Sequence, residues 1–283
     1  MNNNNEKIKS QYLSKSVKVD FFYIQPHSSE SKTSSLEDIF TQIKNTPNFS
    51  LGEYSNEEKL KNDLGRKIFG ESEQSFYINI FEHIETISKI VEVIIKKSFN
   101  AVSVTKNINV YILPLYNKEA SEDLDGVNGF IVEGNIMYLL IDTTNEKWQV
   151  SLRETIPHEY AHLAYTSQYS WNSILDGMVN EGLAEHFREF IVGGNRAPWS
   201  TTLNKEDAIK ELNIISEKDL NLFIDDSNID FYLSYFFGTK NLQNWYGYSL
   251  GYWLIDEVIS RSGNTLLELF KINPKQIFSF FRK

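Results

Sequence analysis

The chain has 283 residues, 41% hydrophobic, 14% aromatic and 23% charged, a composition that supports a globular core and excludes a disordered chain. Its net charge of −10 argues against general nucleic-acid binding and against docking on an anionic membrane, since both need clustered Lys and Arg. The absence of cysteine excludes disulfide scaffolds, thiolate zinc fingers, iron–sulfur clusters and cysteine nucleophiles.

Residues 2–5 form a polar tract, expected to fray, and no apolar stretch follows that would make a signal peptide. The longest apolar run, Ile136–Ile141, is far too short to span a membrane, so a cytoplasmic protein is expected. Residues 17–25 partly alternate and read as a strand, and residues 26–35 as a Ser-rich loop. Helices are predicted over residues 36–44 and 56–69. A longer helical pattern over 72–99 carries Tyr77, Ile80, Phe81, Ile84, Ile87, Val91, Ile94 and Ile95 on one stripe. From residue 107 the period shortens. Residues 108–115 read as a strand, 123–128 as a turn, and 130–133 with 135–142 as paired strands about Gly134 and Asn135. Beyond residue 142 the pattern is helical, with loops near 193–200 and 225–228. The reading divides the chain into a mainly helical region, 1–105, and a domain over 106–283 that carries the chemistry.

Residues 155–165 read TIPHEYAHLAY, which contains the pattern HExxH. On a helix His158 and His162 lie one turn apart, about 6 Å along the axis, so both imidazoles reach one metal ion. Glu159 then sits beside the metal's open side. Pro157 removes a backbone donor, which predicts a kink or a restart just before His158. In residues 170–194 a second helix carries an apolar stripe of Leu175, Met178, Val179, Leu183, Phe187, Phe190 and Ile191. Glu181 and Glu185 share a face of it. The spacing from His162 to Glu181 leaves room for a turn and an antiparallel helix. Two His, one Glu and an open position make a catalytic zinc set. Glu185, one turn further on, is placed to orient a ligand histidine.

Several rivals are excluded. Gln168 and Tyr165 stand where a metzincin needs His and Gly, there is no Cys for a deformylase, and only Glu159–His162 fits the Glu-x-x-His repeat of a di-iron bundle. HEYAH followed by NEGLAE resembles the gluzincins, the thermolysin-like zinc peptidases. More narrowly, GFIVEGNIMYLLID, HEYAHLAY, LDGMVNEGLAEHF and YGYSLGYWLID together resemble the YjaZ-like predicted zinc-dependent proteases of bacteria. The resemblance covers roughly residues 106–283. It implies His158, His162 and Glu181 as ligands of one zinc ion per chain, Glu159 as the catalytic base and Glu185 as an acid supporting a ligand. It also implies a zincin-like α+β fold, with a small, mostly antiparallel sheet, an active-site helix behind it and a helical C-terminal part. Residues 135–142 match in position the edge strand to which substrate adds.

Tyr248 and Tyr252 share a helical face, and either could stabilise the oxyanion formed on peptide attack; equally, the pair could be core. His27, His83 and His186 read as structural. The expected function is hydrolysis of a peptide or protein substrate. The rival is a non-catalytic zinc-binding or regulatory protein that docks a partner, against which Glu159 argues, since a closed structural site has no use for it.

Overall fold

The computed structural model describes residues 7–27, 31–47, 49–71, 78–132, 135–225, 227–239 and 242–283. The tract 2–5, Tyr77, Glu133 and Gly134 lie outside them. Two compact units form, Met1–Glu159 and Tyr160–Lys283.

The first unit is built on one five-stranded sheet. Its strands are β1 (Lys7–Tyr12), β2 (Lys18–Tyr23), β3 (Ile108–Pro114), β4 (Val127–Val132) and β5 (Ile136–Ile141), in the order β1-β2-β3-β5-β4. The outer pairings are antiparallel, whereas β2–β3 and β3–β5 are parallel, so the sheet is evenly mixed and not mostly antiparallel. The parallel β2–β3 pairing joins the first 105 residues to the strands that follow them. β3 and β5 are buried along their whole length, as strands covered on both faces are. β5 is therefore an inner strand. The margins of the sheet are β1 and β4, so residues 135–142 do not form the edge strand expected of them.

Register on one face is marked by aromatic rings. Phe130, Tyr138, Tyr111 and Phe22 are successive cross-strand partners from β4 to β2. Their rings stack with centroids 4.9, 5.0 and 5.0 Å apart. Each such pair contributes about 0.5–1.5 kcal/mol beyond its buried area. Helices α1 (Lys32–Lys44) and α2 (Glu57–Phe69) serve this face: Lys67 lies over the Phe130 ring, and Thr46, just past α1, hydrogen-bonds the Tyr111 hydroxyl at 2.8 Å. On the opposite face Tyr23 hydrogen-bonds Ser88 of α3 (Ile84–Ala101) at 2.7 Å. A short helix, α4 (Lys118–Asp123), precedes β4.

Helix α5 (Trp148–Thr166) carries HExxH and passes from the first unit into the second. The expected restart at Pro157 does not occur, for the proline lies inside one continuous helix. Leu152, Ile156, Tyr160 and Leu163 are fully buried along it, and that burial outweighs one missing backbone bond.

In the second unit α6 (Ile174–Val192) is buried over most of its length, and its start is capped by the Ser173 side chain, which accepts from the Asp176 N–H. It is followed by α7 (Lys205–Ile214), α8 (Glu217–Leu220), α9 (Ile229–Phe237), α10 (Tyr246–Ser262), α11 (Leu266–Leu269) and α12 (Pro274–Arg282). α6 and α10 cross at two glycines. A Cβ on Gly182 would lie 2.2 Å from the Gly251 carbonyl oxygen, and one on Gly251 2.1 Å from that of Met178. Only bare Cα atoms allow this backbone approach. Among the described residues, no helix is long and apolar enough to cross a membrane.

Candidate metal centre

One helix and one loop-linked neighbour assemble the site. His158 and His162 stand one turn apart on α5, and Glu181 stands in the middle of α6. One ligand atom from each of the three lies within 4.8 Å of the others. His162 and Glu181 are 5% exposed, so these donors are withdrawn from water.

The donor set fits zinc. Around a tetrahedral ion with bonds of about 2.1 Å, neighbouring ligand atoms stand about 3.4 Å apart. His162 Nε2 and Glu181 Oε2 are 3.5 Å apart. The imidazole's orientation points the same way. His162 Nδ1 lies 3.0 Å from Asn180 Oδ1, an oxygen that only accepts, so Nδ1 carries a proton and Nε2 is the nitrogen turned toward Glu181. The 3.5 Å between Nε2 and Glu181 Oε2 is a separation that two ligands of one such ion would have.

Glu159, the residue after the first ligand histidine, is buried against β4, where Gly129 leaves room for its side chain. Glu185 is 1% exposed; Arg188 Nε donates to its Oε2 at 3.2 Å and Trp199 Nε1 to its Oε1 at 2.8 Å. Asn180, which meets His162 Nδ1, precedes Glu181 in the NEGLAE segment and was legible there only as the first letter of a motif.

Tyr248 and Tyr252 both stand on α10 and meet different neighbours. The Tyr252 hydroxyl accepts from Arg196 Nε at 3.0 Å and donates to Glu189 Oε2 at 3.3 Å, two turns along α6 from Glu181. Burial and then the Glu189 charge push this phenol up to about 12. Tyr248 packs edge-on against Phe236, with centroids 5.5 Å apart. Tyr232 of α9, not singled out from the sequence, reaches the tryptophan that packs on His162. Its oxygen accepts from Trp171 Nε1 at 2.8 Å, and the Trp171 ring lies 5.4 Å from that of His162. Burial, and after it the Glu181 charge, raise the Tyr232 phenol well above its ordinary value. His186 stacks on Tyr252 at 4.4 Å and donates from Nε2 to the Tyr252 carbonyl, a structural role. His27 pairs with Asp38 at the surface and His83 packs on Trp148.

No curated protein matches the chain. A family profile described as "Predicted Zn-dependent protease (DUF2268)" matches residues 87–279, which include both histidines, Glu159 and Glu181. The chain, with its His–His–Glu cluster, belongs to this family of predicted zinc-dependent proteases.

Proposed function

We propose that the protein is a zinc metalloendopeptidase of gluzincin type, with one zinc ion per chain held by His158, His162 and Glu181. The observation that carries this reading is the gathering of those three ligand atoms, with Glu159 next in sequence to His158 on the same helix. Zinc bound there would polarise the scissile carbonyl and make a water molecule acidic near neutral pH. Glu159 takes the proton from the attacking water and passes it to the leaving amine, so the base used in the first half of the reaction becomes the acid in the second. Asn180 holds the His162 ring in the tautomer that presents Nε2. An extended substrate aligns by adding to the free margin of β4. We assign the oxyanion donor to Tyr232 in preference to Tyr248 and Tyr252, because its hydroxyl is tied to the tryptophan that packs on His162.

Metal analysis of protein purified without added zinc, joined to cleavage of a peptide library, tests the reading. Glu159→Gln is expected to keep one zinc per chain and lose hydrolysis. Cleavage at the wild-type rate in that variant would return the protein to a zinc-binding role without catalysis. Tyr232→Phe is expected to lower kcat about 10²-fold.

A further inference from the structure

Gly129 stands inside β4, and its backbone needs no glycine, since its φ is not among the positive values. What it lacks is room. A Cβ built there would lie 2.5 Å from Thr155 Cγ2, 2.6 Å from Glu159 Cγ and 3.0 Å from Glu159 Oε1. Thr155 and Glu159 are one turn apart on α5, so the helix presses two side chains onto one bare Cα. The next residue, Phe130, points to the opposite face and begins the aromatic stack. A slip of β4 by one residue would therefore bring a phenyl ring, or Asn128, onto Glu159.

We propose that Gly129 is a positioning residue for peptide hydrolysis. Its bare Cα is the surface that sets where the Glu159 carboxylate rests, and the stack Phe130–Tyr138–Tyr111–Phe22 fixes the strand so that glycine is what meets it. This rests on the peptidase reading above. Glu159 has three rotatable bonds, and a general base is effective only within hydrogen-bond reach of the proton it takes. A displacement of about 1 Å costs about 10²-fold in rate. A side chain at 129 would impose such a displacement although glycine has no side chain to take part in the chemistry.

The experiment compares zinc-loaded wild type with Gly129→Ala and with the double variant Gly129→Ala, Thr155→Ser. Serine removes Cγ2, the nearest clash, and leaves the clash with Glu159. In the Gly129→Ala chain we expect kcat to fall about 10²-fold with KM nearly unchanged and zinc retained. In the double variant we expect the thermal midpoint to recover and kcat to stay low. Recovery of kcat together with the midpoint would show that Gly129 serves packing only and overturn the proposal, as would an unimpaired Gly129→Ala. Binding of acetohydroxamate, a zinc chelator whose N–H and O–H hydrogen-bond a carboxylate beside the metal, gives a readout without turnover. Its affinity should fall about tenfold in both variants, about 1.4 kcal/mol. If wild type cleaves no peptide and this loss persists, the peptidase reading falls and the positioning of Glu159 by Gly129 stands; unchanged affinity in both variants overturns the positioning itself.

Discussion

Glu181 and Glu185 lie one turn apart on α6, and both are buried, yet the protein treats them differently. Glu185 has a cation of its own: the Arg188 guanidinium, 2% exposed, donates to it, and the Trp199 indole meets its other oxygen. Glu181 has an imidazole where Glu185 has a guanidinium, turned so that Nε2 faces the carboxylate. A third ionisable group, His186, meets burial in another way. Desolvation holds its pKa below the ordinary value, only partly offset by the Tyr252 carbonyl and by Glu189, Asp256 and Glu185, so it stays neutral. Three solutions to one electrostatic problem thus stand within six residues of one helix. The carboxylate held by a guanidinium serves structure, and the one set against the His162 ring belongs to the candidate metal centre.

The largest expected effect breaks the first solution. Arg188→Ala should destabilise the fold by about 3–5 kcal/mol, because it strands the Glu185 carboxylate in the interior. A denaturant midpoint lowered at constant slope reports this, and replacing Glu185 by Leu in the same chain should recover most of it. Loss of under about 1 kcal/mol would mean that the pair is not a closed unit.

Glu181→Gln should leave the zinc-free protein about as stable as wild type but remove its response to zinc. For wild type at a hundredfold excess over Kd that response is about 2.7 kcal/mol, read as a shift in thermal midpoint. Glu185→Gln should still bind zinc measurably in competition with a chelator. The reverse order of the two would exchange the roles assigned to the glutamates.

Asn180→Ala should weaken zinc binding about 10–100-fold by freeing the His162 ring to turn. An unchanged Kd would show that the ring is held by Trp171 packing instead. The smallest effect concerns His186. Its depressed folded pKa means that the unfolded chain takes up the proton first. The associated stability is present above about pH 6.5 and is lost as pH falls below it. Denaturation of zinc-free His186→Gln should show a flatter loss between pH 6.5 and 5 than wild type does.

HExxH and the apolar stripe of α6 were legible in the sequence because they are local: the 3.6-residue period fixes which side chains share a face. What was not legible depended on pairing between distant segments. Strand β1, with Lys at both ends of its first three residues, shows too little apolar alternation to stand out. Residues 135–142 read as an edge because strand order is invisible locally, though the unbroken apolar run Ile136–Ile141 already marked a strand buried on both faces. Pro157 looked like a break because a local rule was weighed without the burial that opposes it. Gly129, Trp171 and Tyr232 gain their meaning only from what lies across from them.

Trp171 packs on His162 with ring centroids 5.4 Å apart. Indole emission responds to charge placed within a few ångströms, so a divalent ion arriving at His162 alters the light this residue gives out. The chain therefore carries its own fluorophore at the site, and rapid mixing with zinc can time the loading of the centre without dye, label or substrate. Trp171→Phe should remove the signal and leave the stoichiometry of binding intact.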